Sequence, residues 1–292
     1  MTIGIRDVLT EVFAAEPERV QFVGGGSINQ AARITVRGDN YFVKWKNDAP
    51  VGFFEAEARG LDVLREAAAI RVPEIIKVEA GDDQRPAYLI LEWLEEASDT
   101  ETLAFSVNFG RALAQLHRHS ATTFGLDHDN YIGALPQSNT PTADWVSFYR
   151  DQRIAPQVTL ARKLGRLPTE RERLLRKVME NLDKLLEGAA LLPSLLHGDL
   201  WSGNFMVLAN NLPALIDPAV YYGDREVELA FTELFGGFPA SFYPAYREAF
   251  PLDRGYERRK ALYQLYPLLV HLNLFGESYG MRVDAICRQY VH

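Results

Sequence analysis

Apolar positions Ile5, Val8, Leu9, Val12 and Phe13 recur at helical spacing, so the first element read from the chain is a short amphipathic helix. The pattern changes over residues 20–46. Gln21-Phe22-Val23 runs into Gly24-Gly25-Gly26-Ser27, Ala31 to Val36 favour β structure, Gly38-Asp39-Asn40 turns the chain, and Tyr41 to Lys46 favours β again. This predicts three antiparallel strands. A helix follows from about Phe53 to Ala69. Pro73 then opens a strand through Val78, Gly81-Asp82-Asp83 turns, and Ala87 to Leu91 makes a fifth strand. After Glu92-Trp93-Leu94 the period is mainly helical, over roughly 102–118, 142–150, 169–187, 225–235, 241–250 and 256–290. Two short β-like runs, Phe205 to Leu208 and Ala214 to Ile216, interrupt it. The expected architecture is α+β in two lobes. Residues 1–93 form a small antiparallel sheet with one inserted helix, and residues 94–292 a larger, mainly helical lobe. The charged helix at 169–187 reads as a solvated face and carries no function.

Composition narrows the class without naming a chemistry. The 292 residues are 47% hydrophobic and 24% charged, ordinary for a globular protein. A formal charge of −8 disfavours nucleic acid and anionic membranes as partners and fits, weakly, a positively charged one. The single cysteine, Cys287, excludes an intrachain disulfide. The opening residues lack the pattern of a secretory signal, and no apolar run reaches the roughly 20 residues of a membrane span. The expected location is cytoplasmic.

Chemistry-bearing residues appear in a telling order. Gly24-Gly25-Gly26-Ser27-Ile28-Asn29 lies between two strands, where it is either a glycine-rich hairpin turn or a phosphate cradle with Ser27 and Asn29 as added donors. No Gly-Lys-Ser/Thr follows, so it is not a Walker A loop. Lys44 in Phe42-Val43-Lys44-Trp45 is either an edge-strand charge or a phosphate-binding lysine paired with a helix glutamate. Glu57 is the natural partner, because Glu55 points about 200° away round the helix. Glu92-Trp93-Leu94 is either a strand end or a connection whose backbone contacts an adenine edge. The strongest local signal is His197-Gly198-Asp199-Leu200-Trp201-Ser202-Gly203-Asn204, with the Asp-x₄-Asn spacing of a kinase catalytic loop. There a carboxylate, Asp199, orients the attacking hydroxyl and takes its proton, while Asn204 offers an oxygen to Mg²⁺. His197 reads as an orienting residue. Asp217, in Ile216-Asp217-Pro218-Ala219, matches the Mg²⁺-binding aspartate of kinases, or else is a turn former. Asp224 fits a helix N-cap. Loop, lysine, glutamate, connection, Asp-x₄-Asn and second aspartate in this order indicate a protein-kinase-like fold using ATP and Mg²⁺.

The sequence also resembles the fructosamine kinase (ketosamine-3-kinase) family from Gly24 through at least Tyr279. His-Gly-Asp-x₄-Asn is shared with aminoglycoside, choline and homoserine kinases. More specific are Trp201, the stretch Asp217 to Phe238, Tyr263-Gln264-Leu265-Tyr266, and His271-Leu272-Asn273-Leu274-Phe275-Gly276. The resemblance implies transfer of the ATP γ-phosphoryl group to the sugar 3-hydroxyl of a fructosamine or ribulosamine, which sheds the sugar and repairs a glycated amine or lysine. It implies Asp199 as base, Asn204 and Asp217 as Mg²⁺ ligands, and Lys44 with Glu57 as the phosphate-positioning pair. Trp201 and Trp145 are candidate substrate-side aromatics, though tryptophans are more often core residues. Many relatives carry a cysteine where this chain has Ser27, and the redox regulation some build on it is not expected here. Two alternatives stand beside this reading: a kinase for an aminoglycoside, amino alcohol or free sugar, and a non-catalytic nucleotide-binding scaffold. The scaffold would normally have lost one of Lys44, Asp199, Asn204 or Asp217.

Overall fold

The computed structural model describes residues 4–24, 29–98 and 102–291. Helix α1 (Ile5–Phe13) lays Val8 and Leu9 on one face of a sheet built from β1 (Arg19–Phe22), β2 (Gln30–Val36), β3 (Asp39–Lys46), β4 (Ile75–Glu79) and β5 (Ala87–Glu92). The strands run antiparallel in the order β1-β2-β3-β5-β4. Alternation divides their side chains between two cores. Ala32, Ile34, Val43 and Ile90 pack with α1, whereas Leu89 and Leu91 join the cluster containing α2 (Phe53–Ala67), the crossover from β3 to β4. Lys44 pairs with Leu89 and Phe42 with Leu91, so both point to the α2 side.

The β2–β3 turn lies one residue earlier than Gly38-Asp39-Asn40. Val36 pairs with Asp39, leaving Arg37 and Gly38 as a tight loop with φ of 52° and 84°. A two-residue hairpin with consecutive positive φ matches the twist of its strands, and Gly38 takes the second position without a Cβ penalty.

The remaining elements are α3 (Thr102–Leu116), β6 (Asn130–Ile132), β7 (Leu135–Gln137), α4 (Trp145–Phe148), α5 (Ala155–Lys163), α6 (Thr169–Glu180), α7 (Leu182–Leu185), β8 (Ser194–Leu196), β9 (Phe205–Leu208), β10 (Leu212–Leu215), β11 (Tyr221–Gly223), α8 (Arg225–Thr232), α9 (Phe242–Ala249), α10 (Tyr256–Tyr263), α11 (Leu265–Phe275) and α12 (Gly280–Tyr290). The helix expected at 142–150 continues through a π-helical turn, residues 149–154, into α5. Arg150-Asp151-Gln152-Arg153 hid that continuation because the buried Arg153 reads as a polar position. The run expected at 256–290 is three helices, and Gly276, with φ 101°, ends α11. The pairs β6–β7 and β8–β11 consist of three-residue strands, too short for periodicity to reveal.

One apolar cluster joins the sheet to the helices. Phe54, Leu61 and Leu89 share it with Phe109, Leu113, Leu215 and Phe242. Its tightest seam is α3 against α9. A Cβ added at Gly110 would lie 2.3 Å from the Phe242 carbonyl oxygen and 3.0 Å from the Tyr246 nitrogen, so backbone meets backbone there. Gly110→Ala is therefore expected to destabilise the fold by about 1–3 kcal/mol through overpacking, despite alanine's better helix propensity. Urea unfolding of both forms measures it; equal midpoints would contradict this account of the seam.

Candidate active site

The catalytic-loop sequence connects β8 to β9, and the β9–β10 hairpin returns the chain so that Asp217 follows directly. Asn204 Nδ2 donates to the Asp199 carbonyl at 2.8 Å and to Asp199 Oδ2 at 3.1 Å, which leaves Asn204 Oδ1 as an acceptor. The Ile216 N–H donates to Asn204 O at 3.1 Å, tying the two aspartate segments together. His197 is buried and bridges them again: Nε2 meets the Ile216 carbonyl at 2.8 Å, and Nδ1 accepts the Asp199 N–H at 3.3 Å. That pair of contacts defines a neutral tautomer, and burial lowers the imidazole pKa in the same direction. His197 orients the loop, as expected.

Gly198 is required by both conformation and space. Its φ is +85°, and a Cβ there would lie 2.0 Å from the Ala219 oxygen. Asp217 itself adopts φ 56°, unusual for a residue with a side chain, and its carboxylate is 45% exposed. Its Oδ1 accepts from Lys44 Nζ at 2.5 Å, and Glu57 Oε1 accepts from the same nitrogen at 2.7 Å. Burial alone would depress the Lys44 pKa, but Asp217 and Glu57 outweigh it and hold the ammonium above its ordinary value. Lys44, Glu57, Asn204, Asp199 and Asp217 thus converge from β3, α2 and two loops. Burial, then the charge of Asp217, pushes the Asp199 carboxyl up to about 8. Asp199 also lines a narrow, largely apolar cavity with Ile132, Tyr221, Phe231, Tyr266 and His271.

A buried carboxylate that the sequence reading missed supports this loop. Glu228 on α8 accepts the His197 N–H at 3.2 Å and the Gly198 N–H at 2.7 Å, and it meets His117 Nε2 at 2.9 Å. His117 Nδ1 in turn contacts the Tyr246 hydroxyl at 2.8 Å. Asp224 caps α8 by accepting the Glu226 N–H at 3.1 Å, and the Tyr263 hydroxyl donates to its other oxygen. Glu228 left one trace in the sequence: a charge among apolar neighbours, on a helix whose every residue from Glu226 to Thr232 is buried.

Other expected residues fall differently. Gly25, Gly26 and Ser27 lie outside the described residues. Gly24 and Asn29 flank them, and Asn29 Oδ1 is buried without a partner among the described residues. Glu92 ends β5 with its carboxylate gripped by Arg71 Nη2 at 2.5 and 2.6 Å and by the Glu74 N–H at 3.1 Å. Trp93 lies under the Arg33 guanidinium, 4.5 Å from its ring centre. The Leu94 N–H has no backbone acceptor among the described residues. Trp201 is 41% exposed, its indole covering Gly203. Trp145, in contrast, is 1% exposed in the core, where its N–H donates to the Tyr263 hydroxyl at 3.2 Å. It packs against Phe148 and Tyr149 and does not face the cleft, which corrects its reading as a substrate-side aromatic. Cys287 is buried, and burial pushes its thiol up to about 12.

Comparison with known proteins assigns the chain to a family. The family model described as fructosamine kinase matches residues 1–292. The chain belongs to the fructosamine kinase family. It is 40% identical over 268 residues to a protein of Enterococcus faecium designated a ketoamine kinase, covering 92% of this chain and 94% of that one. It is 37% identical to the chloroplastic protein-ribulosamine 3-kinase of Arabidopsis thaliana, over 97% of this chain and 86% of the relative. A Thermobifida fusca crystal structure described as a fructosamine-3-kinase superposes with a TM-score of 0.84 at 37% identity, covering 98% of this chain and 97% of the other. The aminoglycoside phosphotransferase APH(4)-Ia matches with a TM-score of 0.68 at 18% identity, over 99% of both chains. That similarity shows a common fold, and the fold is protein-kinase-like.

Glu228 gives this family member a measurable acid sensitivity. Burial alone would raise its pKa, but the contacts with His117 and with the Gly198 N–H outweigh it and lower the carboxyl below its ordinary value. A carboxyl depressed in the folded state stabilises the fold fully above its unfolded pKa, about 4.3, and that contribution disappears as pH falls through the folded value. Glu228→Gln replaces an acceptor with an amide that turns donors toward donors. It is expected to cost about 1–3 kcal/mol at pH 7, and the gap from the parent should close below about pH 4. Urea titrations at several pH values measure it; a gap independent of pH would contradict the ionised state.

Proposed function

We propose that the protein transfers the γ-phosphoryl group of ATP to the sugar 3-hydroxyl of a ketosamine, a fructosamine or ribulosamine carried by a small amine or a lysine. The observation supporting this best is the Lys44–Asp217 bridge standing beside the Asp199–Asn204 pair, in a chain matched end to end by the family. Lys44, held by Glu57, is in position to contact nucleotide phosphates. The glycine loop at 24–29 would add backbone donors. The carbonyl of Glu92 and the N–H of Leu94, with Trp93 between them, would border the adenine, and residue 93 then divides a nucleotide lobe from a catalytic lobe.

The donor set fits Mg²⁺. Asn204 Oδ1 is uncommitted by the contacts of its nitrogen, and Asp217 keeps an oxygen beyond the one bound to Lys44. Two oxygen ligands suit a hard cation that otherwise retains water and phosphate oxygens. Bound there, Mg²⁺ would neutralise charge on the transferring phosphoryl group. Asp199, once ionised, orients the acceptor hydroxyl and takes its proton. The acceptor sugar would present its 3-hydroxyl to Asp199, with the half-exposed Trp201 two residues along the same loop. The loss of sugar from an unstable 3-phosphate would make the reaction a deglycation. Among the described residues no helix is long and apolar enough to cross a membrane, and we read the location as cytoplasmic.

Asp199→Asn should abolish turnover while leaving ATP affinity near that of the parent, because the base acts mainly in the transition state. Asp217→Ala should weaken Mg-ATP binding as well as the rate. Steady-state kinetics and nucleotide calorimetry separate these effects; near-normal turnover in Asp199→Asn would refute its role. On the acceptor side, binding the amine-bearing portion helps position the hydroxyl. Fructose- or ribose-derived lysine adducts should therefore show a much higher kcat/KM than free fructose, ribulose or kanamycin. Equal values for a ketosamine and its free sugar would remove the substrate reading and leave the kinase reading standing.

A further inference from the structure

The segment after Asp217 is held by side chains with no place in the proposed chemistry. Gln137 Nε2 donates to the Ala219 carbonyl at 3.1 Å, and Asn130 Nδ2 donates to the Val220 carbonyl at 2.8 Å. These two amides belong to a larger network. Asn130 Oδ1 accepts from Gln137 Nε2 at 2.8 Å and from Asn139 Nδ2 at 3.0 Å. Asn139 Oδ1 accepts from Arg153 Nη2 at 2.7 Å, and the Tyr266 hydroxyl donates to Gln137 Oε1 at 2.6 Å. Asn130, Gln137, Asn139 and Arg153 are 5%, 2%, 0% and 0% exposed. Arg153 stacks 3.9 Å from the Tyr221 ring centre and 4.6 Å from that of Phe148. Among the described residues it has no carboxylate partner, and its Nε is unsatisfied.

Such a network is costly as core. Apolar residues of similar volume would usually be at least as stable, so its value lies in fixing one geometry. The geometry in question is the left-handed backbone of Asp217, since a strained residue persists only when its surroundings over-determine it. Upstream, Ile216 is tied to Asn204 and His197; downstream, the Ala219 N–H donates to His197 O at 2.8 Å. The Gln137 and Asn130 contacts hold the next two carbonyls, so the chain on both sides of Asp217 is anchored.

We propose that Gln137 and Asn130, backed by Asn139, Arg153 and Tyr266, are positioning residues that set the carboxylate of Asp217 for its cation. This rests on reading Asp217 as a metal ligand. The test is Mn²⁺ binding in the presence of ADP, followed by electron paramagnetic resonance, with kinetics alongside. The proteins are the parent, Gln137→Met, Asn130→Asp, Tyr266→Phe and Asp217→Ala. Gln137→Met and Asn130→Asp should weaken Mn²⁺ binding about tenfold, as loss of a group orienting a metal ligand does. ADP affinity without metal should not change, and kcat should fall while KM for the acceptor holds. Tyr266→Phe, which removes one hydroxyl, should show the same effect in smaller degree, and it decides the matter if the other two variants fail to fold. Unaltered Mn²⁺ affinity in folded variants overturns the proposal, as does a lower Tm with unaltered Mn²⁺ affinity. If Asp217→Ala also binds Mn²⁺ like the parent, the metal-ligand reading has failed; if Asp217→Ala alone loses affinity, only the network proposal has.

Discussion

The buried ammonium of Lys44 is the point on which the cleft depends. A lysine side chain 5% exposed survives as a cation only with close anionic partners, and it has them in Glu57 from α2 and Asp217 from the loop after β10. The second contact spans 173 residues of sequence. Removing either carboxylate would leave the buried lysine under-compensated. The sheet, its crossover helix and Asp217 are therefore held together by one charge.

Around this charge the backbone is fixed by groups that do not react. Glu228 takes two successive N–H groups of the catalytic loop, and Gly198 lets that loop touch the Ala219 carbonyl. The N–H groups would otherwise be buried without acceptors, at about 1–3 kcal/mol each. At the end of β5 Arg71 does comparable work. Its backbone carbonyl accepts the Leu215 N–H at 2.8 Å while its guanidinium grips Glu92, so the strand leading to Asp217 and the connection after β5 share a residue.

Much of this was legible in the sequence. The five strands, the crossover helix and the order Lys44, Glu57, Asp199, Asn204, Asp217 follow from periodicity and spacing, because those signals are local. Trp145 shows where local reading fails. Its residue type suits a sugar platform as well as a core, and only packing with Phe148, Tyr149 and Tyr263 decides between them. Glu228, Asn130, Gln137 and Arg153 were missed for the opposite reason. Polar residues are read as surface, and what marks these four is burial against partners tens of residues away. The three-residue strands β6, β7, β8 and β11, which carry or adjoin several of them, leave no periodic trace.

The charge balance of the cleft gives the arrangement a direction. Glu57, Asp199 and Asp217 supply three carboxyl groups, and among the described residues Lys44 is the one cation bonded to any of them, to Glu57 and Asp217. Burial is the first cause of the raised pKa of Asp199, and Asp217 is the largest charge adding to it. A nucleotide's phosphates entering alone would add negative charge to a site already in excess. A divalent cation at Asn204 and Asp217 would offset that excess and admit the phosphates. Surplus acid in the protein would thus make metal and nucleotide interdependent ligands in the proposed reaction.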